Sequence, residues 1–221
     1  MRQPSTSMGS VPTDINCFNS HSSQNELPKF VALILCVYVA PVVLILTGVI
    51  PFSQRFTLLL GMAIVVFVVE LIRGRSWKEL GFRSDTLSGS LKVNLALSAT
   101  VGAILLIAWV FGAFSSSAAH ESALFYVFYV LISSPTQEFL FRSVVFAEMN
   151  RAKIAGARWQ VGLSTLIYVF PHTIYKDALT VLVVAAIGAI WGLIYWRYPN
   201  IYGVALSHAA LGAVSIAAGL I

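Results

Sequence analysis

Seven apolar runs of roughly 20 residues follow one another along the chain, and they constrain its fold more than any other feature. A helix of about 20 residues crosses the hydrocarbon core of a bilayer. Within lipid a helix satisfies its own backbone hydrogen bonds, so runs of this length predict helices. The runs cover residues 30–50, 54–72, 91–114, 122–148, 158–174, 177–196 and 200–220.

The composition supports this interpretation and excludes an ordinary soluble domain. Only 10% of the 221 residues are charged and 58% are hydrophobic, whereas soluble domains carry about 25% charged residues. We therefore predict an all-α fold, a polytopic transmembrane helical bundle of about seven spans, covering residues 29–221. Residues 1–28 are polar and lack periodicity, which predicts a disordered cytoplasmic tail.

Positive charge predicts the orientation of the bundle. Basic residues favour the cytoplasmic side of a membrane protein. With a cytoplasmic N-terminus, eleven basic residues lie inside, and only Arg55 and Lys176 lie outside. The inside set is Arg2, Lys29, Arg73, Arg75, Lys78, Arg83, Lys92, Arg151, Lys153, Arg158 and Arg197. The net charge of +5 thus reflects multi-pass topology, and no nucleic-acid partner is expected.

Glu138 and Arg142 are ionisable residues within an apolar run. A charge at the centre of a membrane helix costs about 2.5 to 3.5 kcal/mol, so such residues usually mark a functional site. Four positions apart, the two share one helix face and can neutralise each other. At about 1.5 Å per residue, Glu138, His208 and His172 lie roughly 15, 12 and 21 Å below the cytoplasmic surface. Three ionisable groups at similar depth favour a shared site.

Bland interpretations exist for each of these residues taken alone. Glu138 and Arg142 could form a purely structural ion pair, and either histidine could be a satisfied interior residue. Together they fit peptide hydrolysis, which needs a base for water, donors for the oxyanion and an acid for the leaving amine. Zinc bound by one Glu and two His is the competing hypothesis. No HExxH spacing supports it, so we predict neither a metal nor another cofactor.

Several other features receive structural interpretations. Pro135 and Pro171 remove helical hydrogen bonds near the candidate residues, and the freed carbonyls must face protein or water. Gly188 and Gly192 are predicted to pack the last two helices together. An aromatic belt is predicted from Trp191, Trp196, Tyr195 and Tyr198. Solvated or interfacial positions without a role are predicted for His21, His120, Glu70 and Glu121.

Three motifs in this order resemble those of the CPBP family, the CAAX protease and bacteriocin-processing proteins also called Abi proteins. The family motifs are EExxxR, FxxxH and HxxxN or HxxxD. The chain reads Gln137-Glu138-Phe139-Leu140-Phe141-Arg142, then Tyr168-Val169-Phe170-Pro171-His172, then His208-Ala209-Ala210-Leu211-Gly212. The resemblance covers roughly residues 75 to 215.

The resemblance implies a metal-independent glutamic endopeptidase embedded in the membrane, here expected in a prokaryotic cell membrane. It also implies cleavage near the C-terminus of a membrane-associated protein, either prenylated or bearing a sorting segment. Two departures bear on the mechanism. Gln137 stands where the family has its water-activating glutamate, and Gly212 replaces a carboxamide or carboxylate that helps the motif's histidine, here His208, stabilise the oxyanion.

Residue roles follow from this resemblance. We expect Glu138 to activate water, His172 to assist and His208 to support the oxyanion. Arg142 is expected to fix its helix by pairing with Glu138 or to hold a substrate carboxylate, and Gln137 to orient the water. An alternative is a catalytically inactive member that binds peptides or partner proteins, as in bacteriocin immunity. An ion or small-molecule pathway is a third possibility.

Overall fold

The computed structural model describes residues 26–112 and 121–220, which form seven helices. Helix α4 contains two π-helical stretches, Tyr129–Ser133 and Phe139–Val144. Helix α5 continues as a 3₁₀ turn, Phe170–Tyr175. The helices are α1 Glu26–Leu46, α2 Phe52–Ile72, α3 Leu87–Val110, α4 Ala123–Arg151, α5 Ala157–Val169, α6 Ala178–Arg197 and α7 Ile201–Ala217.

This architecture confirms the predicted all-α bundle. Five helices, α1 to α4 and α6, are long and apolar enough to cross a membrane, and α7 is a shorter apolar helix. Helix α1 begins at Glu26, so the last three residues of the predicted tail are helical. The rest of that tail, including Cys17 and His21, lies outside the described residues, as does His120.

Polar side chains set the starts of three helices. Ser122 accepts a hydrogen bond from the amide of Phe125 at 3.2 Å and so begins α4. Asp177 and Asn200 play the same part for α6 and α7, with oxygens that accept amide hydrogen bonds at 2.6 and 3.1 Å. Such N-caps are each worth about 1 kcal/mol, and they fix where each helix starts relative to its neighbours.

Helix α4 is the centre of the bundle. Every residue from 138 to 149 is buried, because α4 is surrounded by α1, α2, α5 and α7. Helices α5 and α6 form an antiparallel pair, and α7 packs along α3 and α4. A charged group on α4 is therefore held inside protein, away from lipid.

A buried network of ion pairs lies at the end of the bundle that carries the basic loops, which are residues 73–86 after α2 and residues 152–156 after α4. Arg75, after α2, donates to Glu70 on α2 at 2.9 Å and also pairs with Glu148 on α4. Arg73 contacts Glu148 at 2.9 Å and Glu26 on α1 at 2.7 Å. The prediction that Glu70 is solvated was wrong, because the side chain has no exposed surface and is neutralised by Arg75. We call Glu26, Glu70, Arg73, Arg75 and Glu148 the basic-end network.

Candidate active site

Glu138 and His208 meet in the interior of the bundle. Glu138 lies on α4 and His208 on α7, 70 positions apart in sequence, and His208 Nδ1 donates to Glu138 Oε1 at 2.7 Å. Glu138 has no exposed surface and His208 almost none. The carboxylate accepts only, so His208 carries a proton on Nδ1, and Nε2 is the atom left for chemistry.

Arg142 neutralises Glu138 at longer range and joins three helices. Its Nε lies 3.8 Å from Glu138 Oε2, so the two form a loose ion pair. Its Nη2 donates to the carbonyl of Gly188 on α6 at 3.1 Å. The guanidinium also lies 4.5 Å above the ring centre of Tyr168 on α5. Arg142 therefore holds α5 and α6 against α4 and keeps a positive charge beside Glu138.

The small-residue face of α6 serves this contact, and the prediction that it packs against the last helix was wrong. A Cβ added at Gly188 would lie 2.8 Å from Tyr168 Cδ1, and one added at Gly192 would lie 3.4 Å from Val161 Cγ1. Tyr168 and Val161 both belong to α5. Glycine at 188 thus makes room for Tyr168 and exposes its own carbonyl to Arg142.

His172 lies in the 3₁₀ turn that follows α5, immediately after Pro171. Its Nδ1 donates to the carbonyl of Tyr168 at 2.9 Å. A carbonyl only accepts, so Nδ1 carries the hydrogen and Nε2 of the neutral ring is a free base. His172 is half-buried and lines a cavity of about 130 Å³ together with Gln137.

The neighbouring residues Gln137 and Glu138 face different partners. Successive helical residues point about 100° apart, and Glu138 is directed at His208 while Gln137 borders the cavity beside His172. The Gln137 amide donates to Ser133 Oγ at 3.0 Å, one helical turn earlier. The residue beside His172 is therefore an amide, and the carboxylate belongs to the other histidine.

A second cavity, of about 270 Å³, brings the two histidines together. His172 and His208 both line it, with Tyr168 and Tyr129 between them. Tyr168 Oη lies 3.5 Å from His208 Nε2, and the Tyr168 ring centre lies 4.9 Å from that of His172. Glu138 on α4, His172 after α5 and His208 on α7 thus lie in one region, and the two imidazoles line one cavity.

Trp191 is a residue of this site that the sequence analysis missed. Its ring stacks on His208 with centres 4.8 Å apart, and its Nε1 donates to Ser207 Oγ at 3.0 Å. The aromatic-belt prediction was wrong for Trp191 and Tyr195, which are both buried. Trp191 lies six residues, about 9 Å, before Arg197 at the end of α6. That depth was the available signal, because belt residues lie at the membrane surface.

The described residues contain no group of three or more His, Cys, Asp and Glu side chains arranged to hold a metal ion. The one Glu and two His that the zinc hypothesis needs are split, since His208 contacts Glu138 whereas the Nδ1 of His172 contacts the carbonyl of Tyr168. The arrangement offers one imidazole with a free basic nitrogen, a second imidazole held by a carboxylate, and a cavity between them.

Glu138 and His208 thus meet in the interior of the bundle, and His172 lines a cavity together with His208. Residues 118–214 match the family model described as type II CAAX prenyl endopeptidase Rce1-like. This match confirms the resemblance drawn from the three motifs. No curated protein and no solved structure matches the chain.

This match and the apolar helices indicate an integral membrane protein. Proteins of this family are membrane-embedded endopeptidases that act on membrane-associated proteins. The matched segment contains all three motifs, from Gln137 to Gly212.

Proposed function

We propose that this chain is an intramembrane endopeptidase in which water between His172 and His208 attacks a peptide bond. The observation that carries this proposal is the placement of two differently held imidazoles on one cavity. His172 keeps a free Nε2, and His208 is charge-compensated by Glu138 at 2.7 Å. One imidazole is suited to accept a proton and the other to donate one.

The proposed steps divide the work between these groups. His172 Nε2 removes a proton from water, and the water oxygen attacks the carbonyl carbon of the scissile bond. The carbonyl oxygen becomes an oxyanion, which accepts a hydrogen bond from Nε2 of protonated His208. When the tetrahedral intermediate collapses, the C–N bond breaks and the leaving amine takes the proton from His172.

Glu138 acts through His208 in this proposal, which differs from the direct water activation expected from sequence. Its carboxylate orients the imidazole and compensates its charge when the ring is protonated. A carboxylate bonded to Nδ1 performs the same two tasks in serine proteases. Arg142 holds Glu138 in place and binds α6, and Gln137 orients the water through its amide.

The position of the cavities suggests where the substrate enters. Both lie in the half of the bundle opposite the basic loops, bordered by Arg55, Tyr175 and Leu220. If the basic loops are cytoplasmic, the scissile segment reaches His172 from the outer face. We propose a membrane-associated protein with an outward-facing sorting segment as substrate, in preference to a prenylated cytoplasmic tail.

The activity is tested with the purified full chain in lipid nanodiscs and a library of membrane-anchored fluorogenic peptides. We expect cleavage by the wild type, and a loss of roughly 10²- to 10⁴-fold in kcat for His172→Ala. The matched control is Leu166→Ala, a lipid-facing change on α5, which should retain activity. Cleavage that is equal in His172→Ala and the wild type would contradict the proposal.

A chelator distinguishes the zinc hypothesis in the same assay, since a zinc peptidase loses activity on metal removal. The side of entry is tested in oriented vesicles that carry the peptide anchored on one face. Cleavage restricted to peptides on the cytoplasmic face would contradict outward entry while leaving the peptidase proposal intact.

One observation favours a second candidate function, a catalytically inactive protein that binds peptides. Gln137 borders the cavity beside His172, and an amide cannot accept a proton at neutral pH. A binding protein would capture the labelled peptides without cleaving them. Equal capture by the wild type and His172→Ala, with no product from either, would favour this candidate.

A further inference from the structure

Gly212 is a glycine because a tyrosine hydroxyl occupies the space beside it. A Cβ added at Gly212 would lie 2.7 Å from Tyr129 Cζ and closer still to Tyr129 Oη. Real Cβ contacts are not that short, so any side chain at 212 would displace Tyr129. Gly212 lies one helical turn after His208 on α7, on the same face of that helix.

Tyr129 reaches this point from the other side of the cavity. It lies on α4 at the start of the first π-helical stretch and is almost fully buried. Its ring meets the His208 ring edge-on, with centres 6.2 Å apart. It also lines both the cavity that holds Gln137 and the one that holds the two histidines. The hydroxyl is therefore a polar group set beside His208 at the level of the proposed reaction.

We propose that Tyr129 is a further catalytic residue, whose hydroxyl supplies the second hydrogen bond to the oxyanion beside His208. This inference rests on the proposed peptidase function and adds a group to the same site. As the water oxygen bonds to the carbonyl carbon, the negative charge on the carbonyl oxygen is met by His208 Nε2–H and Tyr129 O–H. The tyrosine keeps its proton throughout, and the hydrogen bond weakens when the C–N bond breaks.

The same geometry means that a side chain at position 129 and one at position 212 can each supply the donor beside His208, but not both at once. A polar side chain at 212 on α7 and a tyrosine at 129 on α4 compete for one volume. Only one of them can place a donor beside His208. The absence of a side chain at 212, which leaves His208 unsupported by its own helix, is thus offset by a donor from α4.

The first experiment removes only the hydroxyl. Tyr129→Phe should lower kcat roughly 10²- to 10³-fold, as expected for the loss of one oxyanion donor, while KM stays unchanged. The control is Tyr126→Phe, one turn earlier on α4, whose ring packs against Phe125 and which should keep full activity. Tyr129→Phe at wild-type kcat would overturn the inference.

The second experiment exchanges the pair. Gly212→Asn alone should lose activity and melt at lower temperature, because the new side chain collides with Tyr129. Tyr129→Ala removes the collision, so the double variant Tyr129→Ala with Gly212→Asn should recover at least about tenfold in kcat over Tyr129→Ala alone. A double variant no more active than Tyr129→Ala would also overturn the inference.

Failure of this inference and failure of the proposed function give different results. If His172→Ala is inactive while Tyr129→Phe matches the wild type, only the role of Tyr129 is lost. If the wild type and His172→Ala show equal turnover, the peptidase proposal fails and the role of Tyr129 falls with it.

Discussion

The two halves of this bundle bury charge in different ways. In the basic-end network, Arg75 contacts Glu70 at 2.9 Å, and Arg73 contacts Glu148 at the same distance. In the opposite half, Arg142 lies 3.8 Å from Glu138, and the shortest contact of Glu138 is with His208. The cavities that His172 borders also lie in this second half.

The difference indicates a division of labour along α4. Glu148, at the basic end, is held by two arginines and ties α4 to the loop after α2. Glu138, ten residues away along α4, is held loosely by one arginine, and its shortest contact is with an imidazole. Tight pairing neutralises a charge and makes it inert, whereas looser pairing leaves it able to stabilise a second ionisable group.

The largest difference in kcat is expected when one carboxylate in each half of the bundle is replaced by an isosteric amide. Glu138→Gln should lower kcat roughly 10²- to 10⁴-fold with little change in KM, because His208 loses both its orientation and its compensating charge. Glu148→Gln should keep the kcat of the folded enzyme. Peptide turnover per folded molecule measures both, and a Glu138→Gln enzyme with wild-type kcat would break the proposed link between Glu138 and His208.

The basic-end network should matter for stability instead. Truncating one partner of a buried ion pair costs about 3 to 5 kcal/mol, because the other charge is left uncompensated. Glu148→Ala should therefore unfold at a lower temperature in detergent, as Arg73 and Arg75 each lose one of their buried carboxylate partners. The control is Glu79→Ala, which removes a half-exposed carboxylate 3.5 Å from the same Arg75. Equal losses in the two variants would show that burial is not what gives the network its strength.

The fold follows from the sequence because each helix is specified locally. Apolar length sets the spans, and Ser122, Asp177 and Asn200 fix three of the starts. The helix predicted at 158–174 ends earlier, at Val169, since Pro171 lies within the 3₁₀ turn that follows it, and it is not among the helices long enough to cross a membrane. The depths of Glu138, His172 and His208 in the membrane rest on the rise per residue of a helix and stay a prediction.

The details of the site depend on rotation and on contacts between helices, which local sequence does not encode. The two π-helical stretches of α4 lie on either side of Gln137 and Glu138, and each changes which residue faces which partner. Trp191 and Tyr129 belong to the site only because α6 and α7 pack as they do. The burial of Glu70 was missed because local sequence does not show that Arg75 folds back onto it.

A gain-of-function variant tests the half of the bundle that contains the two cavities. Gln137→Glu places a carboxylate beside His172, where the amide now lies. A second base at this position should raise kcat at neutral pH by roughly tenfold or more. Gln137→Met, which keeps the volume without the carboxylate, should show no gain. A Gln137→Glu enzyme that is no faster than the wild type would mean that His172 alone sets the rate of water activation.

The smallest change in melting temperature is expected for Asp85, whose carboxylate is exposed to water at the basic end of the bundle. The Asp85 carboxylate accepts hydrogen bonds from Arg83, which hold its pKa well below the usual range of an aspartate. Because the pKa is lowered in the folded state, the pairing stabilises the fold fully above the unfolded-state pKa. That stabilisation is lost only as the pH falls through the folded-state pKa. Between about pH 8 and pH 5 the carboxylate stays charged, so stability should not vary on its account. Asp85→Asn should have the same melting temperature as the wild type across that pH range, because salt and water screen an exposed ion pair. A melting shift in Asp85→Asn comparable to that of Glu148→Ala would erase the distinction between the buried network and the loop charges around it.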